Sequence, residues 1–147
     1  MNKIYTIGFT QKTAEEFFNL IEKNKIRKLI DVRLKNNSQL SAFSKYPDIK
    51  FFLHRICSAE YFHDKNFAPT EKILNDFKNK VIDWTEYEIE FSMLMRNRNI
   101  EKYIAANYLD CTGYCFLCSE PTPENCHRRL IAEKFKKVFA DLEIIHL

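Results

Sequence analysis

Gly113-Tyr-Cys-Phe-Leu-Cys-Ser-Glu-Pro-Thr-Pro-Glu-Asn-Cys-His-Arg-Arg129 decides how this chain is read. Tyr114 to Cys118 is a short apolar run, the pattern of a buried strand. Ser119, Glu120 and Pro121 turn the chain. Thr122 is a good N-cap and Pro123 suits a first helical position, where its missing N–H is no loss. A helix is predicted from there, with Ile131, Phe135 and Val138 on one face. Cys118 and Glu120 then sit at the carboxyl end of a strand. Cys126, His127 and Arg128 sit in or just past the first helical turn. Open α/β sheets bind ligands in that crevice.

Outward from this stretch, strands and helices alternate. Lys3–Ile7 alternates and stops at Gly8, a strand and a tight turn. Thr13-Ala-Glu-Glu16 is a capping box, and Ala14, Phe17, Phe18 and Ile21 continue as a helix to about Asn24. Lys28–Val32 is the second strand of a β-α-β unit, whose strands run parallel. Arg33–Ser44 reads as a loop, Pro47–Ile56 as a short helix and Glu60–His63 as a third strand. Residues 70–107 read as helical throughout. Thr70 caps a helix bearing Ile73, Leu74, Phe77 and Val81. Thr85-Glu-Tyr-Glu88 reads as a second capping box, and Ile100–Asn107 as a third helix. Glu143–Leu147 supplies a last strand.

The sum is an α/β fold. It is one domain over residues 1–147, with a small, mostly parallel sheet of four to five strands flanked by helices. Residues 70–107 form a helical insertion before the fourth strand, a potential lid anchored by Trp84 and Tyr87. The first and fourth strands are expected to be central and adjacent.

Composition bounds the function. Of 147 residues, 46% are hydrophobic, with 13 Phe and 7 Tyr, enough for a real core. Net charge is +3, from 23 basic and 20 acidic side chains, too mild to demand nucleic acid. Five cysteines form no evident disulfide framework, no secretory signal is read, and no run is long enough to span a membrane. The expected compartment is the cytoplasm.

The polar residues gather at strand ends: Gly8 and Thr10 after the first, Asp31 and Arg33 after the second, Cys118 and Glu120 after the fourth. With the first strand between the other two, these ends would share one crevice. Asp31 is then a base or ligand clamp, or else a structural partner of Arg33. Cys115 and Cys118 are three apart on a strand and point to opposite faces, so that C-x-x-C should not share a metal. Cys118, Cys126 and His127 could approach one another, but no second C-x-x-C completes a zinc pattern, and no metal is assigned. Cys126, placed in the first helical turn beside His127 and Arg128, is expected to have a lowered pKa; the alternative is a packing residue. Glu120, ahead of two prolines, is rigidly placed and suits a general base. Cys57, Cys111 and Cys115 read as core.

These motifs carry a resemblance. Thr6-Ile-Gly8, Asp31-Val-Arg33, Cys118-Ser-Glu120, Cys126-His-Arg128 and His146 occur in order over nearly the whole chain. The chain resembles the uncharacterised Domain of Unknown Function 488 family. Phe67-Ala-Pro-Thr70 and Trp84 with Tyr87 look like one subgroup. Phe9 stands where His is common in the family, and Gln39 where Arg is common after Ser38. The Pro of that loop is missing. The resemblance implies an α/β fold and a shared site, but no known reaction and no known cofactor.

Three readings of function follow. The first is an enzyme for a phosphate- or nucleotide-bearing substrate. In it Cys118, Glu120, Cys126 and Asp31 are catalytic, and Gly8, Thr10, Arg33, Ser38, His127 and Arg128 bind substrate. The second is a nucleic-acid or nucleotide-binding module without turnover, using Lys134, Lys136, Lys137 and the basic residues Lys45, Lys50 and Arg55. The third is a structural metal domain.

Overall fold

A central strand organises the molecule. The computed structural model describes residues 2–120 and 122–147. The strands are β1 (Lys3–Gly8), β2 (Lys28–Asp31), β3 (Glu60–His63), β4 (Tyr114–Cys118) and β5 (Glu143–His146). They form one parallel sheet in the order β3-β2-β4-β1-β5. Tyr-Cys-Phe-Leu-Cys of β4 takes the middle, where a strand is covered on both faces and an unbroken apolar run is at home. This corrects one expectation: the first and fourth strands are adjacent, but the fourth lies between the first and second. The ends stay in register, with Gly8 beside Cys118 and Asp31 beside Leu117.

Alternation along the strands sends side chains into two cores. On one face Ile4, Ile30, Phe116 and Cys118 pack with residues of α3 (Glu71–Lys78), α4 (Trp84–Asn97), α5 (Ile100–Asn107) and α6 (His127–Val138). On the other, Ile7, Leu29, Cys115 and Leu117 pack with α1 (Ala14–Lys23) and α2 (Asp48–Phe52), which a π turn extends over Leu53–Cys57. Cys115 and Cys118 thus point to opposite faces, as the spacing predicts. The same parity places Thr6 and Gly8 with Ile4, on the α6 face, and Asp31 with Leu29, on the α1 face.

The insertion before β4 is helical and built into the core. Thr70 caps α3 by accepting from the Ile73 amide. The second helix begins two residues earlier than its Thr85 pattern suggests. Asp83 is the cap, accepting from the Glu86 amide, because its short carboxylate reaches that donor first along the chain. Tyr87, Phe91 and Met95 of α4 are buried in the same cluster as Cys118 and Cys126. Trp84 stacks on Tyr87. The insertion is therefore a wall of the core rather than a separate lid. Asp64, buried after β3, accepts from the hydroxyls of Tyr103 (2.7 Å) and Tyr108 (2.6 Å), tying the strand edge to α5. No helix among the described residues is long and apolar enough to cross a membrane.

Candidate functional site

The carboxyl edge of the sheet carries two polar clusters, one on each face. The first is built by β4 and α6. Residues 122–125 make turns, and α6 starts only at His127, with Cys126 as N-cap in an extended conformation. Thr122 and Pro123 do not begin the helix; tertiary contacts set its start. The His127 ring donates from Nε2 to the Val32 carbonyl at 2.7 Å, since a carbonyl only accepts. In the neutral ring Nδ1 then holds a lone pair, and it lies 3.5 Å from Cys118 Sγ. Cys126 makes no capping bond, so its sulfur is free to join them. The three donor atoms all lie within 4.8 Å of one another and all three residues are buried. Phe91 packs on the His127 ring, and the Tyr87 hydroxyl is pushed far up, by burial first and then by the two nearby sulfurs.

The thiol energetics reverse the expectation for Cys126. Cys126 is raised well above its ordinary value, first by its hydrogen bond to Cys118 and then by burial. Cys118 is lowered, chiefly by that same hydrogen bond, with burial opposing and the Ser119 amide and Arg128 assisting. The cause is geometric: Cys126 sits outside the helix and donates, so the thiolate is favoured on the strand end. Burial pushes Cys57 and Cys111 up to about 11 and Cys115 higher still, consistent with core residues.

Arg128 completes this cluster. It is fully buried over β1. Its Nε donates to Thr6 Oγ1 at 3.3 Å and its Nη1 to the Glu120 carbonyl. Both partners are neutral, and Nη2 has no partner among the described residues. The Thr6 hydroxyl in turn is hydrogen-bonded to His146 Nδ1 at 2.6 Å. Lys12 and His146 both have lowered pKa values, from burial first and then from Arg128. Glu124, exposed on the loop before α6, feels Arg128 and His146 only through space. Gly8 is obligatory here: a Cβ would stand 1.6 Å from the Glu120 carbonyl oxygen and 2.8 Å from Arg128 Nη1.

The second cluster lies across the sheet and is closed. Asp31 and Arg33 form a buried bidentate pair, Nε to Oδ1 at 2.8 Å and Nη2 to Oδ2 at 2.7 Å. The Arg33 amide and the Tyr61 hydroxyl also donate to Asp31, at 3.1 and 2.5 Å. Arg33 further donates to Ser44 Oγ and to the Ser44 carbonyl. With four bonds accepted, the Asp31 carboxylate is saturated. Burial together with the Asp31 bond pushes the Tyr61 hydroxyl far up. His63 Nε2 closes the Arg33 carbonyl at 2.7 Å. The strand ends thus converge along one edge, with Asp31 following the face of Leu29 and Cys118 on the α6 face, near enough that Asp31 still acts on the Cys118 thiol through space.

The remaining site residues sit at the rim. Ser38 is exposed and caps the short 3-10 segment Gln39–Ser44 through the Leu40 amide. Thr10 is exposed, its amide bound to the Ser119 carbonyl at 3.1 Å. The exposed Glu120, with Ser119, lines a groove of about 740 Å³ whose other walls are Leu74, Phe77, Ile82, Lys78, Lys80 and Asp83. Lys134, Lys136 and Lys137 ride α6, whereas Lys45, Lys50 and Arg55 belong to the α2 face, so the two basic groups do not form one surface.

A family model described as domain of unknown function DUF488 matches residues 13–135. The chain belongs to this family. No curated protein and no solved structure matches it. The resemblance carried by Asp31-Val-Arg33, Cys118-Ser-Glu120 and Cys126-His-Arg128 is thereby borne out at the level of the family. In this DUF488 chain the second motif and the third meet in space, and the first joins them through the Val32 carbonyl while its Asp31 and Arg33 side chains pair with each other on the opposite face.

Several participants have weak sequence signals. Thr6, Lys12, Tyr61 and Ser44 lie in ordinary strand or loop contexts. The Val32 and Glu120 carbonyls carry no side-chain signal at all. Thr6 was within reach: a threonine among apolar strand residues, two positions before an end glycine, invites a search for its partner.

Proposed function

We propose that this DUF488 chain is an enzyme for a phosphate- or nucleotide-bearing substrate, bound on the α6 face of the carboxyl edge. The observation that carries this reading is Arg128: a fully buried guanidinium with only neutral partners and an unpartnered Nη2. A buried charge without a counter-charge is costly unless something supplies one. The first turn of α6 adds His127 and Arg128 at the positive end of the helix and carries no acidic residue of its own, while Arg129 is paired with Glu88 and Glu133. A phosphate there would meet free helix amides, a guanidinium and the nearby Lys12.

The groove beside Ser119 and Glu120 would take the rest of the substrate. Its apolar walls Leu74, Phe77 and Ile82 suit a base or other flat group, and Lys78 and Lys80 line the same space. Glu120, exposed and lining the groove, would act as the base. Cys118, Cys126 and His127 form the reacting end, Gly8 admits the close approach of the Glu120 segment, and Thr10 and Ser38 stand at the rim. Asp31 and Arg33 brace the adjoining strand. The nucleic-acid reading gains no support from a basic surface divided between two faces.

Thermal unfolding in inorganic phosphate and in adenosine monophosphate tests this. At a hundredfold excess over Kd the folded state gains about 2.7 kcal/mol, roughly 5–10 °C in Tm. The gain should vanish in Arg128→Gln. Equal gains in both proteins, or none in the native one, would reject Arg128 as the anion site.

A further inference from the structure

We propose that Cys118, Cys126 and His127 bind a zinc ion, with the fourth coordination position left to water or substrate. The inference goes beyond the anion reading and does not rest on it: that reading is carried by Arg128, whereas this one is carried by the mutual geometry of the three residues at the reacting end. Tetrahedral zinc, with Zn–S about 2.3 Å and Zn–N about 2.0–2.1 Å, spaces a sulfur and a nitrogen ligand about 3.5 Å apart. Cys118 Sγ and His127 Nδ1 are 3.5 Å apart. The Cys126 sulfur completes a group whose donor atoms lie within 4.8 Å of one another.

The ligand nitrogen is prepared for this task. Metal-bound histidines regularly give their other N–H to a carbonyl or carboxylate, which fixes the tautomer and aims the lone pair. Here Nε2 is given to the Val32 carbonyl at 2.7 Å, leaving Nδ1 toward the sulfurs. Cys126 contributes from outside the helix, because it holds the N-cap position yet makes no capping bond. A sulfur-to-imidazole hydrogen bond alone would need only Cys118. The second thiol, brought back beside Cys118 from the N-cap of α6, is what a metal explains.

Charge and softness select the ion. Two thiolates and one neutral imidazole cancel a dication, so the loaded site is neutral and can stay among Tyr87 and Phe91 without a further counter-ion. Two soft sulfurs and one imidazole favour zinc over magnesium or calcium. Three protein ligands with an open fourth position is the arrangement of catalytic rather than structural zinc. The C-x-x-C signal at Cys115 and Cys118 pointed to the wrong pair: Cys115 faces the other core, and Cys126 takes its place.

The test is metal content of the full chain purified without chelator. About one zinc per chain is expected, falling at least about tenfold in Cys118→Ser and in Cys126→Ser, and unchanged in Cys57→Ser. Because a ligand variant can fail to fold, the native chain is also stripped and titrated with cobalt under reducing conditions. A thiolate-to-cobalt charge-transfer band and intense tetrahedral visible bands should saturate at one equivalent. Zinc should also shield Cys118 and Cys126 from alkylation, read by mass spectrometry, until a chelator is added. Substoichiometric metal together with no cobalt band in the reduced protein would overturn the proposal. So would zinc retained in both serine variants. Loss of phosphate stabilisation with zinc intact would reject the anion site alone, and the reverse result would reject the metal alone.

Discussion

Arg33 and Arg128 are the same side chain at the same edge of one sheet, 4% and 0% exposed, and they live under opposite conditions. Arg33 faces α1 and α2. Its charge is matched by Asp31 in two parallel bonds, and Ser44 and Tyr61 finish the network. Arg128 faces the α6 core. Its partners are a hydroxyl and a carbonyl, and one nitrogen has none among the described residues. A saturated buried charge is an anchor. An unsaturated one is a cost that the fold carries for another reason, and ligand binding is the reason the surrounding chemistry fits.

The largest expected effect breaks the anchor. Arg33→Met or Asp31→Leu alone leaves one buried charge uncompensated and should cost about 3–5 kcal/mol in urea unfolding. The double variant should recover most of that, because neither charge is then orphaned. A single variant costing under about 1 kcal/mol would mean the pair is not structural.

Arg128→Met is the counterpart on the other face. Removing a charge that has no counter-charge should change stability by no more than about 1 kcal/mol, in either direction, while abolishing the response to phosphate. A loss as large as that of Arg33→Met would dissolve the contrast between the two arginines.

The smallest effect is a pH dependence at β5. His146 is lowered from its ordinary value of 6.5, by burial first and then by Arg128 and Arg129, while Glu124 and Glu133 oppose. Its Nδ1 is hydrogen-bonded to the Thr6 hydroxyl. The unfolded chain therefore binds this proton more readily than the folded one. Its contribution is fully present above the unfolded value and is lost as pH falls from there toward the folded pKa. Urea midpoints measured between pH 5 and 8 should show a steeper acid-side fall in the native protein than in His146→Asn. Parallel profiles would show that His146 titrates as a free side chain.

Much of the fold was legible because its signals are local. Alternation gave β1 and the apolar run gave β4, and Thr13 and Thr70 cap their helices as their spacing predicts. Thr85 misled because Asp83 competes for the same helix start. Thr122 and Pro123 misled for a deeper reason: the His127–Val32 bond and the Arg128–Glu120 contact join positions far apart or use carbonyls, and they outweigh local capping preference. The gathering of Cys118, Cys126 and His127 was foreseeable from the strand–turn–helix order. The separation of Asp31 from Cys118 depended on strand order, which no local pattern encodes: with β4 central, Asp31 follows the parity of Leu29 toward α1.

The central claim is that the α6 face of the carboxyl edge is the functional one, and amide NMR of the 15N-labelled chain titrated with inorganic phosphate tests it most directly. The account predicts saturable shifts at Gly8 to Lys12, Ser119, Glu120 and Glu124 to Arg129, with Arg33, Ser38 to Ser44 and Tyr61 unmoved. Shifts centred on Arg33, Ser38 and Ser44, or no saturable shift anywhere, would contradict it.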